Sequence, residues 1–286
     1  MRYIIAELGI ELNLKYDYAN RRMKDYKSEF GGTHIRINIE EDNAIVLPEY
    51  TEQIPYQFKN YWLKFADDSF GAFRTLVNSD YIIFFARWNK DATEATIKMA
   101  DVTRFGGKRM ELREFSYVGE VLRFMLPFHN RMVLHSSALA LDNHGVAFSA
   151  VSGTGKSTHA NAWKRLFPDC IAINDDAPVV YNNGSGFRLY GQPWSGKTAI
   201  NANISAPLDA IVCLYQDKTN HIEQIPPRKS FPFLLDGTVP TPLNEREERK
   251  ISILSDVISN TKIYMLGCLP DNEAAIICKE KIWKEM

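Results

Sequence analysis

Apolar and polar residues alternate with period two in several stretches of the first hundred positions. Residues 32–41, GTHIRINIEE, place isoleucines at every second position, the pattern of a half-buried strand. Residues 44–50, AIVLPEY, read as its partner strand. DYIIFFARW (80–88) and EATIKMADV (94–102) read as two more. The aromatic-rich segment 56–68, YQFKNYWLKFADD, fits either a strand or a helix. This half predicts a mostly antiparallel sheet with one or two helices.

The spacing changes near residue 112. In REFSYVGEVLRFMLPFHNR (113–131), Phe115, Val118, Val121, Leu122, Met125 and Leu126 recur at helical spacing, and Pro127 ends or bends that helix. MVLHSSALALD (132–142) and GVAFSAV (145–151) read as a hairpin turning at Asn143-His144-Gly145. Beyond it the pattern predicts a helix at 158–167, strands at 170–176, 177–183, 186–194 and 208–217, a helix at 244–261, a strand at 262–269 and a terminal helix. No repeat or low-complexity tract interrupts the chain. The change of period sets a domain boundary between residues 105 and 115: a β-rich domain at 1–110, suited to acceptor recognition, and an α/β domain at 111–286.

Composition narrows the classes. A chain of 286 residues with 45% hydrophobic and 24% charged residues has enough apolar material for a core without staples. The formal net charge of −1 offers no global attraction to nucleic acid or acidic membranes. Cys170, Cys213, Cys268 and Cys278 form no CxxC pair, which suggests buried thiols in a reducing compartment rather than a zinc or redox site. Glu7 interrupts a short N-terminal apolar run, and no stretch reaches the length of a membrane helix. The expectation is a cytoplasmic protein with no membrane and no nucleic-acid partner.

The chemistry concentrates at residues 150–163, AVSGTGKSTHANAW. A strand, a glycine-containing turn, Gly155-Lys156-Ser157 and a helix follow one another, as in a G-x-x-x-x-G-K-[ST] phosphate loop. Ala150 stands where that pattern has its first glycine, a substitution tolerated if the backbone there keeps negative φ. Backbone N–H groups around such a loop form an anion nest reinforced by the helix N-terminus. Ser152, Gly153, Thr154, Gly155, Lys156, Ser157 and Thr158 are therefore the candidate nucleotide-binding residues. Lys156 can reach the β- and γ-phosphates, and the Ser157 hydroxyl can ligate Mg²⁺. A further strand then ends in Asp175-Asp176, and ligands of open α/β sheets sit at the carboxyl ends of strands. One acid can hold the metal and the other can accept a proton; a solvated acidic loop is the plain alternative.

SGTGKST followed by NDD resembles the phosphate loop and acidic pair of the superfamily shared by HPr serine kinase and ATP-dependent phosphoenolpyruvate carboxykinase. The resemblance covers roughly residues 112–286. The loop wording is nearer the carboxykinases, and the layout is nearer the kinase. It implies a P-loop domain with a mixed sheet, ATP as cofactor with Mg²⁺ (or Mn²⁺), and a homo-oligomer, since those kinases form hexamers. It also implies that Asp175 is the catalytic base, that Asp176 holds the metal with Ser157, directly or through water, and that Lys156 faces the phosphates; the order of the two acids could be reversed, because a strand end can twist either side chain inward. His135, in LHSSALAL, matches a histidine of the kinase and could stabilise charge or shuttle a proton; a satisfied core histidine is the alternative. The kinase signature after the acidic pair is replaced by GQPWSGKTAI, where Ser195, Gly196 and Lys197 form either a second anion-binding turn or a surface turn.

The leading expectation is an ATP-dependent, Mg²⁺-assisted phosphotransferase. It would act on a hydroxyl of a peptide, a protein or a small molecule. A non-catalytic nucleotide-binding regulatory module is the alternative from another class. A carboxykinase is disfavoured, because no cluster for its transition metal can be assigned.

Overall fold

The computed structural model describes residues 1–29, 32–56, 60–151, 153–236, 238 and 244–284, and folds as a mixed α/β protein. The chain divides into two units, Met1–His129 with Thr241–Glu247, and Asn130–Pro240 with Glu248–Met286.

The first unit comprises β1 (Arg2–Ile5), β2 (Leu8–Leu12), α1 (Asp17–Arg22), β3 (Ile35–Glu41), β4 (Glu52–Tyr56), β5 (Asn60–Lys64), β6 (Phe70–Thr75), β7 (Ile82–Trp88), β8 (Glu94–Met99) and α2 (Met110–Met125). Its eight strands form one sheet in the order β1-β2-β3-β8-β7-β6-β5-β4. The alternation over residues 35–41 is realised in β3, where Ile35, Ile37 and Ile39 are buried. However, β3 pairs in parallel with β2 and β8, and the segment 44–50 is not its partner. Ile45 and Leu47 instead pack in a cluster with Phe65, Phe73 and Phe85, so their apolar character serves loop packing. Of the ambiguous 56–68 segment, Asn60–Lys64 is strand, and residues 57–59 lie outside the described residues.

The unit boundary falls after His129 rather than near 110, because α2 belongs with the first sheet. The Phe124 ring lies 4.5 Å from Trp62 and 5.9 Å from Trp88. Arg113, buried on the same helix, donates to the carbonyls of Ala100 and Ile83, both at 2.8 Å. Glu114 is also buried and accepts the backbone N–H groups of Lys15 and Tyr16. Burial pushes its carboxyl pKa up, and those two donors oppose the shift. The change of period near 112 therefore marks a new element, not a new unit. Pro127 does end α2, converting its last turn to 3₁₀ geometry at Leu126–His129.

The second unit contains β9 (Arg131–Val133), β10 (Ser136–Leu141), β11 (His144–Ser149), α3 (Lys156–Leu166), β12 (Ile171–Asn174), β13 (Val179–Asn182), β14 (Phe187–Tyr190), β15 (Ser205–Gln216), β16 (His221–Gln224), α4 (Pro227–Asp236), α5 (Asn244–Asn260), β17 (Lys262–Cys268) and α6 (Asn272–Trp283). The first turn of α5 counts with the first unit. The β10–β11 hairpin turns at Asp142-Asn143, one residue before the predicted site. Both residues carry positive φ, 53° and 63°, as a two-residue hairpin turn of matching twist requires.

β15 is the spine of the second unit. Its first residues pair antiparallel with β14, and its remainder lies in parallel between β11 and β17. On one face Ala147, Ile211, Cys213 and Ile263 pack with Leu254, Val257 and Ile258 of α5. On the other, Phe148, Val212, Leu214 and Leu266 pack with Trp163 of α3 and with Ala275 and Cys278 of α6. Covered on both faces, β15 reads as a continuous apolar run instead of an alternation. β12, β11, β15 and β17 all run in the same direction, since β12 and β11 are each antiparallel to β10. Their carboxyl ends therefore share one edge.

Candidate functional site

Four chain segments leave that edge. After β11, the loop of residues 150–155 leads into α3 at Lys156. Ala150 is absent from the positive-φ residues, so its Cβ is tolerated there. Gly153 and Gly155 have φ of +84° and +120°, values that side-chain-bearing residues rarely adopt. A Cβ at either would meet nothing within 4 Å, so the need for glycine is one of backbone conformation. Thr154 N–H closes a turn onto the Val151 carbonyl at 3.1 Å. Ser152, a candidate from sequence, lies outside the described residues.

Lys156 opens the helix and is buried, with 9% of its surface exposed. Its Nζ donates to the Ala150 carbonyl at 2.8 Å and stands 3.2 Å from His135 Nε2. Burial lowers the ammonium pKa, and the nearby carboxylates of Asp176 and Asp175 oppose that shift. His135 Nδ1 is 3.2 Å from the Asp176 carbonyl and 3.3 Å from Asp176 Oδ1. With Lys156 donating to Nε2, the ring proton sits on Nδ1 and points to Asp176. Lys156, His135 and Asp176 thus form one line of polar contacts.

Asp175 faces the other way, as adjacent residues at a strand end do. Its Oδ2 accepts from Ser157 Oγ at 3.3 Å and from Thr198 Oγ1 at 3.0 Å. Its Oδ1 accepts from Ser137 Oγ at 3.0 Å. Ser157 therefore meets Asp175 rather than Asp176, and Asp176 meets His135. Among the described residues, no group of three or more His, Cys, Asp or Glu is arranged to hold a metal ion.

The Ser195–Lys197 turn packs on the acids. Ser195 is buried and its hydroxyl accepts from Asn201 Nδ2 at 3.0 Å. Gly196, at φ +64°, lies so close to Asp176 that a Cβ would come within 2.9 Å of the carboxyl carbon. Lys197 is exposed. Thr158 is exposed on the first turn of α3, and Thr154 is half-buried in the loop.

Sequence reasoning missed the residue that frames the acidic pair. Asn174 is fully buried; its Oδ1 accepts the N–H groups of Asp176 and Ala177 at 3.0 and 2.7 Å. Its Nδ2 donates to the carbonyls of Gln192 and Trp194 at 3.0 and 3.2 Å. One side chain thereby ties the acids to the 192–194 segment. The available signal was an amide at the end of an apolar strand, immediately before two acids. Ser137 and Thr198 were missed too, being hydroxyls beside residues already singled out.

No known protein family matches the chain, and no curated protein matches it in sequence. Among solved structures, the chain is similar to the HPr(Ser) kinase/phosphatase from Coxiella burnetii. The identity is 10% and the TM-score 0.34, over 54% of this chain and 92% of that one. Among the described residues, no helix is long and apolar enough to cross a membrane.

Proposed function

We propose that the second unit is an ATP-dependent phosphotransferase that moves the γ-phosphoryl group to a hydroxyl acceptor. The observation that carries this reading is the linkage of loop and acids: Lys156 reaches Asp176 through His135, and Ser157 reaches Asp175 directly. A cation and a hydroxyl that follow β11 and two carboxylates that follow β12 thereby share one site beside a glycine turn. Backbone N–H groups of the loop and of the first turn of α3 would hold phosphate oxygens, and Lys156 would offset their charge.

Ser157 Oγ and the Asp175 carboxylate are hard oxygen donors 3.3 Å apart. They suit Mg²⁺, which takes one or two carboxylates together with substrate phosphates. Held by these two residues, Mg²⁺ would supply charge neutralisation for the phosphates. Asp176 then takes the role of base. The acceptor oxygen forms a bond to the γ-phosphorus, the bond to the β–γ bridging oxygen breaks, and the acceptor proton passes to Asp176. His135 orients that carboxylate. A side chain at Gly196 would collide with that carboxylate.

Transfer from γ-labelled ATP into an extract of the source cells, measured against Mg²⁺ concentration, tests the roles. Asp176→Asn is expected to keep ATP affinity and lose about 10²–10⁴-fold in transfer, the usual cost of removing a general base. Asp175→Asn is expected to weaken Mg²⁺ dependence and ATP affinity together. The opposite pattern would exchange the two roles, and wild-type transfer by both variants would defeat the proposal.

A further inference from the structure

On the side of β11 away from the acids, the same sheet edge holds a cavity of about 380 Å³. One wall is the loop itself, at Gly153–Gly155, with Thr158. The opposite wall comes from the carboxyl ends of β15 and β17 and the residues after them, chiefly Gln216, Asp217, Leu269 and Pro270. The order of strands fixes the arrangement. β12, which delivers the acids, is reached from β11 through β10, whereas β15 and β17 lie in the other direction. A triphosphate lying along the loop with its γ end toward Asp175 and Asp176 has its α end at this cavity.

We infer that the cavity is a nucleoside subsite, taking the ribose and base of the nucleotide; the inference rests on the phosphotransferase reading above. The volume falls within the roughly 300–1,000 Å³ of small-molecule pockets. Its lining combines an apolar plate with a few convergent polar groups, the make-up of a site for a flat heterocycle on a hydroxylated sugar. Leu269 is a large apolar side chain left 39% exposed at the wall. Pro270 extends that surface, and the Gln216 amide can meet the donors and acceptors of a base edge. The Asp217 carboxylate accepts the Lys218 backbone N–H at 2.6 Å on Oδ1, its Oδ2 lies 3.8 Å from His221 Nε2, and its remaining lone pairs can meet ribose hydroxyls.

The wall is preformed. Asn220 accepts the Leu269 N–H at 2.8 Å and donates to Asp271 at 3.1 Å, and Asp271 caps α6 through the Ala274 N–H at 3.0 Å. The 269–271 turn is thereby fixed before any ligand arrives, which lowers the ordering cost of binding.

Calorimetric titration with Mg·ATP and with Mg·tripolyphosphate separates the nucleoside from the phosphates. Leu269→Trp fills the cavity from an exposed position, and Asp217→Ala removes the carboxylate; circular dichroism checks that both fold. Wild type is expected to bind ATP more tightly than tripolyphosphate. Both variants are expected to lose about tenfold or more in ATP affinity, about 1.4 kcal/mol, while tripolyphosphate stays within about twofold. Folded variants that keep the full preference for ATP would overturn the subsite, as would wild type binding both ligands equally. Wild type binding neither ligand would instead overturn the phosphotransferase reading beneath it.

Discussion

His159 offers a quantitative test of how α3, and the loop it carries, is anchored. It is buried in the first turn of α3, where its N–H bonds the Gly155 carbonyl at 2.9 Å. The ring meets Phe148 edge-on at 4.7 Å, and Nε2 accepts the Trp163 indole N–H at 3.0 Å. That donor fixes a neutral ring with its proton on Nδ1. Burial lowers the imidazole pKa from 6.5 to about 4. The sign follows from linkage. Between these values the unfolded chain binds a proton that the folded chain refuses, so stability is full above pH 6.5 and falls as pH drops toward 4. At pH 4.5 the loss from this group alone comes to about 2.5 kcal/mol. His159→Gln keeps an acceptor for Trp163 on a good helix former and removes the titration. Urea unfolding of both proteins at pH 7 and pH 4.5 isolates the term, because carboxylate contributions cancel in the difference. Wild type is expected to lose about 2.5 kcal/mol more than the variant on acidification. Equal losses would refute the argument, as would an NMR titration placing His159 near its ordinary pKa.

Two further substitutions probe the frame of the site. Asn174→Ala strips partners from four backbone groups and is expected to cost at least about 2 kcal/mol and to lower phosphotransfer; an unchanged thermal midpoint would contradict the framing role. Gly155→Ala forces a side-chain-bearing residue to φ +120° and is expected to cost about 1–3 kcal/mol and to weaken ATP binding. Gly184→Ala, at φ +95° in the β13–β14 turn, is expected to cost stability while leaving ATP affinity intact.

The sequence carried the second unit further than the first. β11, the glycine turn and α3 are contiguous, so a local pattern sufficed to find them. The doubly covered β15 announced itself as an uninterrupted apolar run. The β1–β2 hairpin was invisible because its turn residues, Ala6 and Glu7, adopt positive φ without the usual Asn-Gly or Asp-Gly signal. Alternation located β3 but says nothing of strand direction, so its parallel partners were missed. AIVLPEY misled because apolar residues that fold over a sheet resemble those that extend it. At the site, residue types singled out Lys156, Ser157 and the two acids, and the resemblance added His135. Which acid meets Ser157 depends on how β12 ends, and that is set by Asn174 and the 192–196 segment, far apart in sequence. The Gln216–Asp217 and Leu269–Asp271 segments carry no motif; only the parallel pairing of β15 with β17 brings them beside the loop.

The central claim is that Lys156 and its loop hold the phosphates of a nucleotide. Calorimetric titration of Mg·ATP into wild type and Lys156→Ala tests it most directly, with circular dichroism confirming that the variant is folded. Removing a buried cation from a charge contact costs about 2 kcal/mol or more, so the variant is expected to bind about 30-fold more weakly or not at all. A folded variant that binds Mg·ATP as tightly as wild type, or a wild type that does not bind it, would contradict the account.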